Sequence, residues 1–514
     1  MTEAIEEHAS HAPYTPTNAV FDNSYARDLA GLYAKTQPAG SPAPQLLRLN
    51  RALAAELGLD ADAWASADGV AVLAGNTVPA QAQPLAQAYA GHQFGGFSPQ
   101  LGDGRAVLLG EIIDRQGERR DIALKGSGRT VFSRRGDGKA AVGPVLREYL
   151  MGEAMHVLGI PTTRALAAVA TGETIQREQR QPGAILTRVA SSHLRVGTFE
   201  FFAARGDEGV LRRLADYAIA RHDPALVGTP DRYFGLLQAV VERQAALIAR
   251  WMGVGFIHGV MNTDNMAISG ETIDYGPCAF MENFDPQTVF SSIDVSGRYA
   301  YGNQPAIAQW NLTRFAEALL PLIDADVESA ASRAGAVVKA FADRFDAHWT
   351  AILRAKLGLL GAGDEAVAHH RALAEDYLAL LQKHRIDFTL GFARLSDAAA
   401  GNDALVRKLF DDAGAEADTA PADWLKSWRA QSEPLATSSS ERVASMRRAN
   451  PIYIPRNHQV EAALAAAVER NDLAPFERLL QVLCHPFDER PADAAFAAPA
   501  APEQTAGYQT FCGT

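Results

Sequence analysis

Residues 255–277 read GFIHGVMNTDNMAISGETIDYGP, and they indicate the fold of the chain more clearly than any other stretch. It contains a histidine and a glycine, then an Asp-Asn pair, a short apolar run, a glycine turn and an Asp-Tyr-Gly. A loop Asn, followed by an Asp before an aromatic residue and a glycine, is typical of a site for nucleotide phosphates and magnesium. Asn265 and Asp274 occupy these two places, so we predict that both bind Mg²⁺.

The loop departs from the usual pattern at the position of the catalytic base. In small-molecule kinases it reads His-Gly-Asp, four residues and Asn, and the Asp accepts the proton of the acceptor hydroxyl. This chain keeps the spacing from His258 to Asn265 but has Val260 in place of that base. The remaining loop carboxylate is Asp264, so either the chemistry is lost or the base has moved. We expect His258 to orient the loop backbone, and we predict a hairpin of two short strands at residues 266–268 and 272–273.

Upstream, the sequence predicts a glycine-rich turn followed by two strands. Residues 89–114, YAGHQFGGFSPQLGDGRAVLLGEIID, lead into a strand at 106–113, and a second strand at 121–124 ends at Lys125. This order is typical of the small lobe of kinases, where the lysine contacts nucleotide phosphates. The turn itself, residues 102–105, reads Gly-Asp-Gly-Arg, and an arginine there can bind a phosphate through two hydrogen bonds.

A basic segment follows in an otherwise acidic protein. Residues 126–143, GSGRTVFSRRGDGKAAVG, contain the cations Arg129, Arg134, Arg135 and Lys139. Glycines let the backbone approach an anion and the cations neutralise it, which favours polyphosphate binding over a solvated loop. Asp137 and Gly138 lie among these cations, where a carboxylate would need a role such as contact with the ribose or base.

A helix is predicted from Pro144 to residue 158, because proline suits the first turn. In active kinases one glutamate of this helix pairs with the strand lysine, and we favour Glu148 over Glu153 as the partner of Lys125. The alternative is that Glu148 is an ordinary exposed glutamate.

Two further strands, at residues 165–171 and 183–189, precede a helical region. Arg188 and Arg195 could reach one phosphate from the hinge side, although Arg195 could instead only cap local structure. Helical patterning is also present at residues 29–34 and 44–57. Beyond residue 200 the predicted helices are 233–252, 304–323, 327–357, 365–384, 404–410, 422–431 and 460–482.

The composition is that of an ordinary globular protein. The chain has 514 residues, of which 47% are hydrophobic and 21% charged, and it shows neither a membrane-spanning apolar run nor a signal peptide, so we expect a cytoplasmic protein. Its formal net charge of -12 opposes binding to nucleic acid or anionic membrane. Three cysteines, Cys278, Cys484 and Cys512, are too few for a disulfide framework or a zinc site.

Together these motifs resemble the selenoprotein O family of kinase-like proteins over nearly the whole chain. The shared motifs are FDNSYA, YAGHQFGGFSPQLGDGRA, DIALKGSGRT with FSRRGDGKA, NTDNM, TIDYGP and a cysteine third from the C-terminus. The resemblance implies an α+β, protein-kinase-like fold with a small β-rich N-lobe that contains one key helix and a large helical C-lobe. We expect an N-terminal extension at 1–88, the N-lobe at 89–200, the C-lobe at 201–488 and a tail at 489–514.

The resemblance also implies a function. Relatives bind ATP in a reversed orientation and transfer AMP to Ser, Thr or Tyr hydroxyls of proteins with Mg²⁺ or Mn²⁺, releasing pyrophosphate. Asp264 would accept the proton, Asn265 and Asp274 would bind the metal, and Glu148 would support the site. The implied ATP contacts are Gly102, Gly104, Arg105, Lys125, Asp137, Gly138, Arg188, Arg195 and Asp274. In several relatives the terminal position is selenocysteine or a redox-active cysteine, whereas residues 284–298 here contain no cysteine to pair with Cys512.

Two alternatives remain at this stage. The first is an ordinary phosphotransferase, against which Val260 argues. The second is a catalytically inactive nucleotide-binding scaffold, a pseudokinase, which would have no need to keep Asn265 and Asp274 beside a carboxylate.

Overall fold

The computed structural model describes residues 19–361, 363–435, 438–505 and 507–511. Cys512 and the first 18 residues of the expected extension lie outside the described residues. The chain mixes α and β structure, with about half of it helical and an antiparallel sheet near its N-terminus. None of the helices that the structure describes combines the length and the apolar character needed to cross a lipid bilayer.

The main sheet has eight strands and carries one wall of the candidate site. In chain order, β1 to β12 are Tyr33–Lys35, Gln45–Leu49, Leu85–Gln87, Gly91–Gln93, Gly96–Ser98, Ala106–Ile113, Arg119–Lys125, Ala140–Ala141, Arg164–Gln176, Arg180–Ala190, Phe256–Ile257 and Ala279–Phe280. The order of the strands in the main sheet is β1-β3-β6-β7-β10-β9-β2, with β8 paired to β10. Strands β4 and β5 form a separate hairpin, and β11 pairs with β12.

Helices α1 to α20 cover this sheet and build the rest of the described chain. In chain order they are Ser24–Asp28, Arg51–Glu56, Ala61–Ala65, Ala67–Leu73, Val142–Val157, Val196–Ala203, Glu208–His222, Arg232–Gly253, Gln304–Ile323, Val327–Lys339, Phe341–Lys356, Val367–Lys383, Phe388–Ala399, Ala404–Asp412, Ala420–Ser432, Ser439–Ala449, Asn457–Arg470, Ala474–Leu483, Ala494–Ala497 and Pro502–Thr505.

Apolar side chains point to both faces of the central strands, so both faces of the sheet are buried. In β10, Ala184 and Leu186 belong to the large core that includes α5, whereas Ile185 and Val189 belong to a second core with α2 to α4. Side chains of a strand point alternately to opposite faces, so one strand can serve two cores. Residues 19–88 therefore complete the sheet with β1, β2 and β3 and cover one of its faces.

Several local predictions were wrong. In the two stretches of helical patterning near the N-terminus, residues 51–56 form the helix α2, but residues 33–34 and 45–49 are strand because they pair with β3 and β9. The predicted helix at 327–357 is two helices, α10 and α11. The predicted helix at 460–482 is also two, because Asn471 caps α17 in the left-handed conformation, with φ of 52°, before α18 begins.

The predicted hairpin after the catalytic loop is wrong as well. Residues 266–268 and 272 do not pair with each other, since Ala267 bridges to Arg195 and Thr272 bridges to Thr162. The amide of Val196 donates to the carbonyl of Met266 at 2.9 Å. The loop is therefore fixed by backbone bonds to the segments after β10 and α5.

Candidate functional site

A cavity of about 800 Å³ lies between the sheet and the loop at residues 260–277. It brings together eleven of the twelve site residues predicted from the sequence, namely Gly102, Gly104, Arg105, Lys125, Asp137, Gly138, Arg188, Arg195, Asp264, Asn265 and Asp274. The twelfth, Glu148, lines an adjoining cavity together with Lys125 and Arg105.

The charge of this cavity is opposite to that of the chain. Its cationic lining side chains are Arg105, Lys125, Arg134, Arg135, Lys139, Arg177, Arg188 and Arg195, and its carboxylates are Asp103, Asp137, Asp264 and Asp274. An excess of cations in a concave site attracts a polyanion even when the net charge of the protein is -12.

The strand lysine pairs with two carboxylates. Lys125 Nζ lies 2.6 Å from Glu148 Oε2 and 2.8 Å from Asp274 Oδ1. Register explains how Arg188 joins them, because Lys125 pairs with Leu186 in β10 and Arg188 follows two residues later on the same face. Arg188 Nε donates to Glu148 Oε1 at 2.8 Å, and its guanidinium also contacts Asp274. Glu148 is thus a buried member of an ion-pair network, not an exposed helix residue.

This network keeps its carboxylates ionised. Burial alone would raise the pKa of Glu148, but Arg188 and Lys125 hold that pKa below its usual range. Burial would also raise the pKa of the Asp274 carboxyl, and its neighbouring cations, with Arg188 the strongest, hold it well below its usual range. Asp274 adopts a φ of 63°, a conformation that is uncommon outside glycine and that places its side chain among these cations.

Arg195 links the two acidic residues of the loop region. Its Nη1 donates to the backbone oxygen of Asp264 at 2.9 Å and lies 3.1 Å from Asp274 Oδ2. Its guanidinium stacks over the Tyr89 ring at 4.5 Å and lies 3.8 Å from Asp103 Oδ1. Arg195 is buried and contacts Asp103, Asp264 and Asp274, so it does more than cap α6.

Asp264 lies in a different environment. Its Oδ2 accepts one hydrogen bond, from Gln93 Nε2 at 3.2 Å. Its Oδ1 is buried and has no hydrogen-bond partner in the described part of the chain. Burial raises the pKa of this carboxyl to about 6, because the nearby charge of Arg195 offsets the desolvation only in part. A carboxylate with one side-chain hydrogen bond and a raised pKa is chemically suited to accept a proton.

The hairpin of β4 and β5 holds the loop around Asp264. The amide of His92 donates to Thr263 Oγ1 at 2.7 Å, and the amide of Phe94 donates to Asn262 Oδ1 at 3.1 Å. A Cβ atom on Gly91 would lie 2.5 Å from Asp264 Oδ1, so only glycine permits this close approach. Neighbouring residues of the hairpin therefore fix the position of the loop.

The glycine-rich turn and the basic segment pack together. A Cβ on Gly102 would lie 2.3 Å from the Phe132 ring, and Gly102 has a φ of 73°. Thr130 Oγ1 donates to the Asp103 carbonyl at 2.6 Å. The Asp137 carboxylate is already paired with Arg177, at 2.8 Å, so its contact with ribose or base stays a prediction.

The loop histidine has the orienting role expected of it. His258 is fully buried, its Nε2 lies 2.9 Å from the Ile273 carbonyl, and its Nδ1 accepts from the Val260 amide at 3.3 Å. Asn265 Nδ2 donates to the Val260 carbonyl at 3.0 Å, which fixes the side-chain amide and leaves its oxygen available.

The donor set fits a hard divalent cation. Asn265 Oδ1 and the Asp274 carboxylate both belong to the cavity lining, and oxygen ligands are those that Mg²⁺ prefers. No group of three or more His, Cys, Asp or Glu side chains suited to a metal is found in the described residues. Few protein ligands are usual for Mg²⁺ at nucleotide sites, where phosphates and water complete the coordination.

The lining residues that received no role from the sequence include Tyr89, Gln93, Asp103 and Arg177. The first three lie within the motif at residues 89–114, in which the sequence assigned roles only to glycines and to Arg105. A signal was available, since a polar Gln and Asp in a glycine-rich segment often serve a site, but their partners come from distant parts of the chain.

Comparisons with known proteins agree with the motifs. A family model described as Protein adenylyltransferase SelO matches residues 16–484. A protein from Cereibacter sphaeroides named Protein nucleotidyltransferase YdiU is 62% identical over 496 residues, covering 96% of this chain and 99% of the relative. Proteins of the same name are 58% identical over 503 residues in Methylorubrum extorquens, with 96% and 99% covered, and 55% identical over 514 residues in Rhizobium johnstonii, with both chains covered completely.

Proposed function

The chain belongs to the SelO family of protein adenylyltransferases, and from that membership we propose that it transfers AMP from ATP to Ser, Thr or Tyr hydroxyls of proteins, releasing pyrophosphate. We further infer that the sheet with α5 and the helical region are the two lobes of a kinase-like fold. The pairing of Lys125 with Glu148 and the position of Asp274 support that inference.

The observation that carries the proposal is the Asp264 carboxylate, which accepts one side-chain hydrogen bond and lines one side of a cationic cavity. The cations Arg105, Arg134, Arg135 and Lys139 come from the glycine-rich turn and the basic segment, which flank the sheet. They are suited to hold the β- and γ-phosphates, and the α-phosphate would then face Asp264. This arrangement supports the reversed orientation of ATP.

The transfer step follows from these positions. The Asp264 carboxylate accepts the proton of the acceptor hydroxyl, and the hydroxyl oxygen forms a bond to the α-phosphorus. The bond between the α-phosphorus and the oxygen that bridges to the β-phosphate breaks, and its electron pair leaves with pyrophosphate. Arg105 and the basic segment stabilise that leaving anion. A pKa of about 6 leaves Asp264 ionised near neutral pH while keeping it a useful base.

Asn265 and Asp274 would hold Mg²⁺ or Mn²⁺, which supplies neutralisation of charge on the phosphate oxygens. Lys125 and Arg188 fix Asp274 for this purpose. Glu148 in turn keeps both cations in place.

Label transfer distinguishes this chemistry from phosphotransfer. The full chain is incubated with an acceptor protein and ATP labelled at either the α- or the γ-phosphate, and we expect label on the acceptor only from the α position. Asp264→Asn serves as the matched control, since it keeps the shape of the side chain and removes the base. Label arriving only from the γ position would reject the proposal in favour of a phosphotransferase, and no label from either position would favour an inactive scaffold.

A further inference from the structure

Exposed apolar side chains gather beside Asp264. Among the described residues, twelve large apolar side chains are exposed, and four of them lie on two short segments next to the cavity. These are Phe94 and Phe97 on the β4–β5 hairpin, at 39% and 43% exposure, and Ile293 and Val295, at 52% and 96%. Isolated exposed apolar residues are ordinary, whereas a group at the entrance to a site indicates a binding surface.

The hairpin and the segment around residue 293 both border this cavity, and they meet at Tyr299 and Arg298. Phe94 and Ile293 line the same cavity as Asp264. The Phe94 ring packs on Tyr299 with 5.1 Å between centroids, and the Phe94 amide donates to the Tyr299 hydroxyl at 3.2 Å. The Phe97 ring packs on His92 at 4.9 Å, and His92 contacts Trp310 of α9 at 5.3 Å.

One cation on this surface lacks a counter-ion. The Arg298 guanidinium lies over the Trp310 ring at 5.0 Å, and it forms no ion pair with a carboxylate of the described residues. The nearby Asp294 is buried and accepts instead from the backbone amides of Arg298 and Tyr299, at 2.9 and 2.7 Å. By contrast, Arg314, which lies 5.1 Å from the Trp310 ring centroid, is paired with Glu317 at 2.8 Å.

We propose that Phe94, Phe97, Ile293, Arg298 and Trp310 form the surface that selects the acceptor protein. This rests on the proposed function and names the class of its substrate. The acceptor is a polypeptide segment that carries its hydroxyl beside an apolar side chain and a nearby carboxylate. The apolar side chain contacts Phe94, Phe97 and Ile293, and the carboxylate pairs with Arg298.

The composition of the surface supports this partner. Trp, Tyr and Arg are the residues that contribute most binding energy at protein interfaces. A chain with net charge -12 repels acidic partners in general, so an unpaired arginine beside the site gives local attraction where the hydroxyl must be placed. The surface also borders the cavity that contains Asp264, so a segment bound on it brings its hydroxyl to the base.

The first test uses short synthetic peptides and ATP labelled at the α-phosphate with the full chain. The peptides share one hydroxyl residue and differ beside it, with Leu or Ser at one position and Glu or Lys at another. We expect the Leu and Glu peptide to be labelled on the order of tenfold more efficiently than the Ser and Lys peptide, which corresponds to about 1.4 kcal/mol. In Arg298→Glu, the preference for Glu should reverse to Lys. Unchanged charge preference in that variant would overturn the assignment of Arg298.

The second test separates the apolar contacts from the chemistry. Phe97→Ser, outside the cavity lining, should raise the KM for the Leu peptide several-fold and leave the Kd for ATP unchanged. Phe94→Asn, in which asparagine tolerates the φ of 50°, should also raise the KM for the Leu peptide several-fold. Leu405→Ser, at an exposed leucine of α14, is the control and should change neither. An unchanged peptide KM in both phenylalanine variants, with label still transferred, would overturn this inference alone. Absence of label on every peptide and every protein, in wild type too, would overturn the proposed function instead.

Discussion

Asp264 and Asp274 are ten residues apart in the chain, and their different surroundings give their carboxyl groups different pKa values. Asp274 is in contact with Lys125, Arg188 and Arg195, and its pKa is held well below the usual range. Asp264 receives one hydrogen bond from Gln93, and burial raises its pKa to about 6. The first stays ionised and is suited to bind a metal ion, and the second is suited to accept a proton. Pairs of acidic groups with such divergent environments are a recurring basis for acid–base assignments.

Removal of the proton acceptor alone is the most direct test of the contrast between Asp264 and Asp274. Asp264→Asn should lower kcat for AMP transfer by roughly 10² to 10⁴-fold, the usual contribution of a general base. Because Asp264 makes one side-chain hydrogen bond, thermal stability should change little. Rates come from α-label transfer and ATP affinity from calorimetry. A variant that keeps wild-type kcat would remove Asp264 from the mechanism.

The corresponding substitution, Asp274→Asn, should lower the free energy of unfolding as well as the activity. Asp274→Asn leaves Arg195 without its close carboxylate partner and removes one of two partners from Lys125 and Arg188. We expect destabilisation by about 3 kcal/mol, because breaking a buried ion pair leaves uncompensated charge. Denaturant unfolding followed by circular dichroism measures it. Equal stability of the Asp264 and Asp274 variants would contradict the distinction between the two sites.

A buried lysine elsewhere in the chain also shows that the surroundings set the pKa of an ionisable group, because it has no carboxylate partner in the described residues. Lys356 of α11 lies over the Phe392 ring at 4.8 Å, and burial lowers its pKa to about 7. The unfolded chain therefore binds one more proton between about pH 7 and the ordinary lysine pKa of 10.5, and this residue makes stability rise with pH across that window. Lys356→Met should flatten the rise and stabilise the protein at pH 7 by about 1 to 2 kcal/mol.

Melting temperatures of wild type and Lys356→Met across a pH range from about 6.5 to about 10 test this, with Lys408→Met, at an exposed lysine of α14, as the control. Parallel pH profiles of wild type and Lys356→Met would show that Lys356 keeps its usual pKa.

The smallest expected effect concerns how Asp264 is oriented. Gln93→Leu removes its one side-chain hydrogen bond and should lower kcat by roughly tenfold, in line with about 1.5 kcal/mol for a hydrogen bond to a charged group. The Kd for ATP should stay unchanged. Gln176→Leu, in the same cavity but bonded only to a backbone carbonyl, is the control. Equal rates in the two variants would remove Gln93 from the site.

The site was more predictable than the local structure around it. Motif order grouped Lys125, Asp264, Asn265 and Asp274 into one predicted site, and all four line one cavity, whereas their roles stay predictions. It did not predict that residues 45–49 form a strand, since their apolar pattern fits a helix equally and the pairing with β9 decides between them. Gln93 was missed for the same reason, as its partner lies 171 residues away.

The placement of β2 at the end of the sheet has a consequence for shortened forms of the protein. This five-residue strand covers the outer side of the thirteen-residue β9, and Arg48 within it also reaches Glu477 of α18 at 2.6 Å. A chain beginning after residue 50 would present β9 as a long unprotected edge that invites intermolecular β-pairing and aggregation. Strand β2 thus protects the sheet that contains Arg188 from self-association.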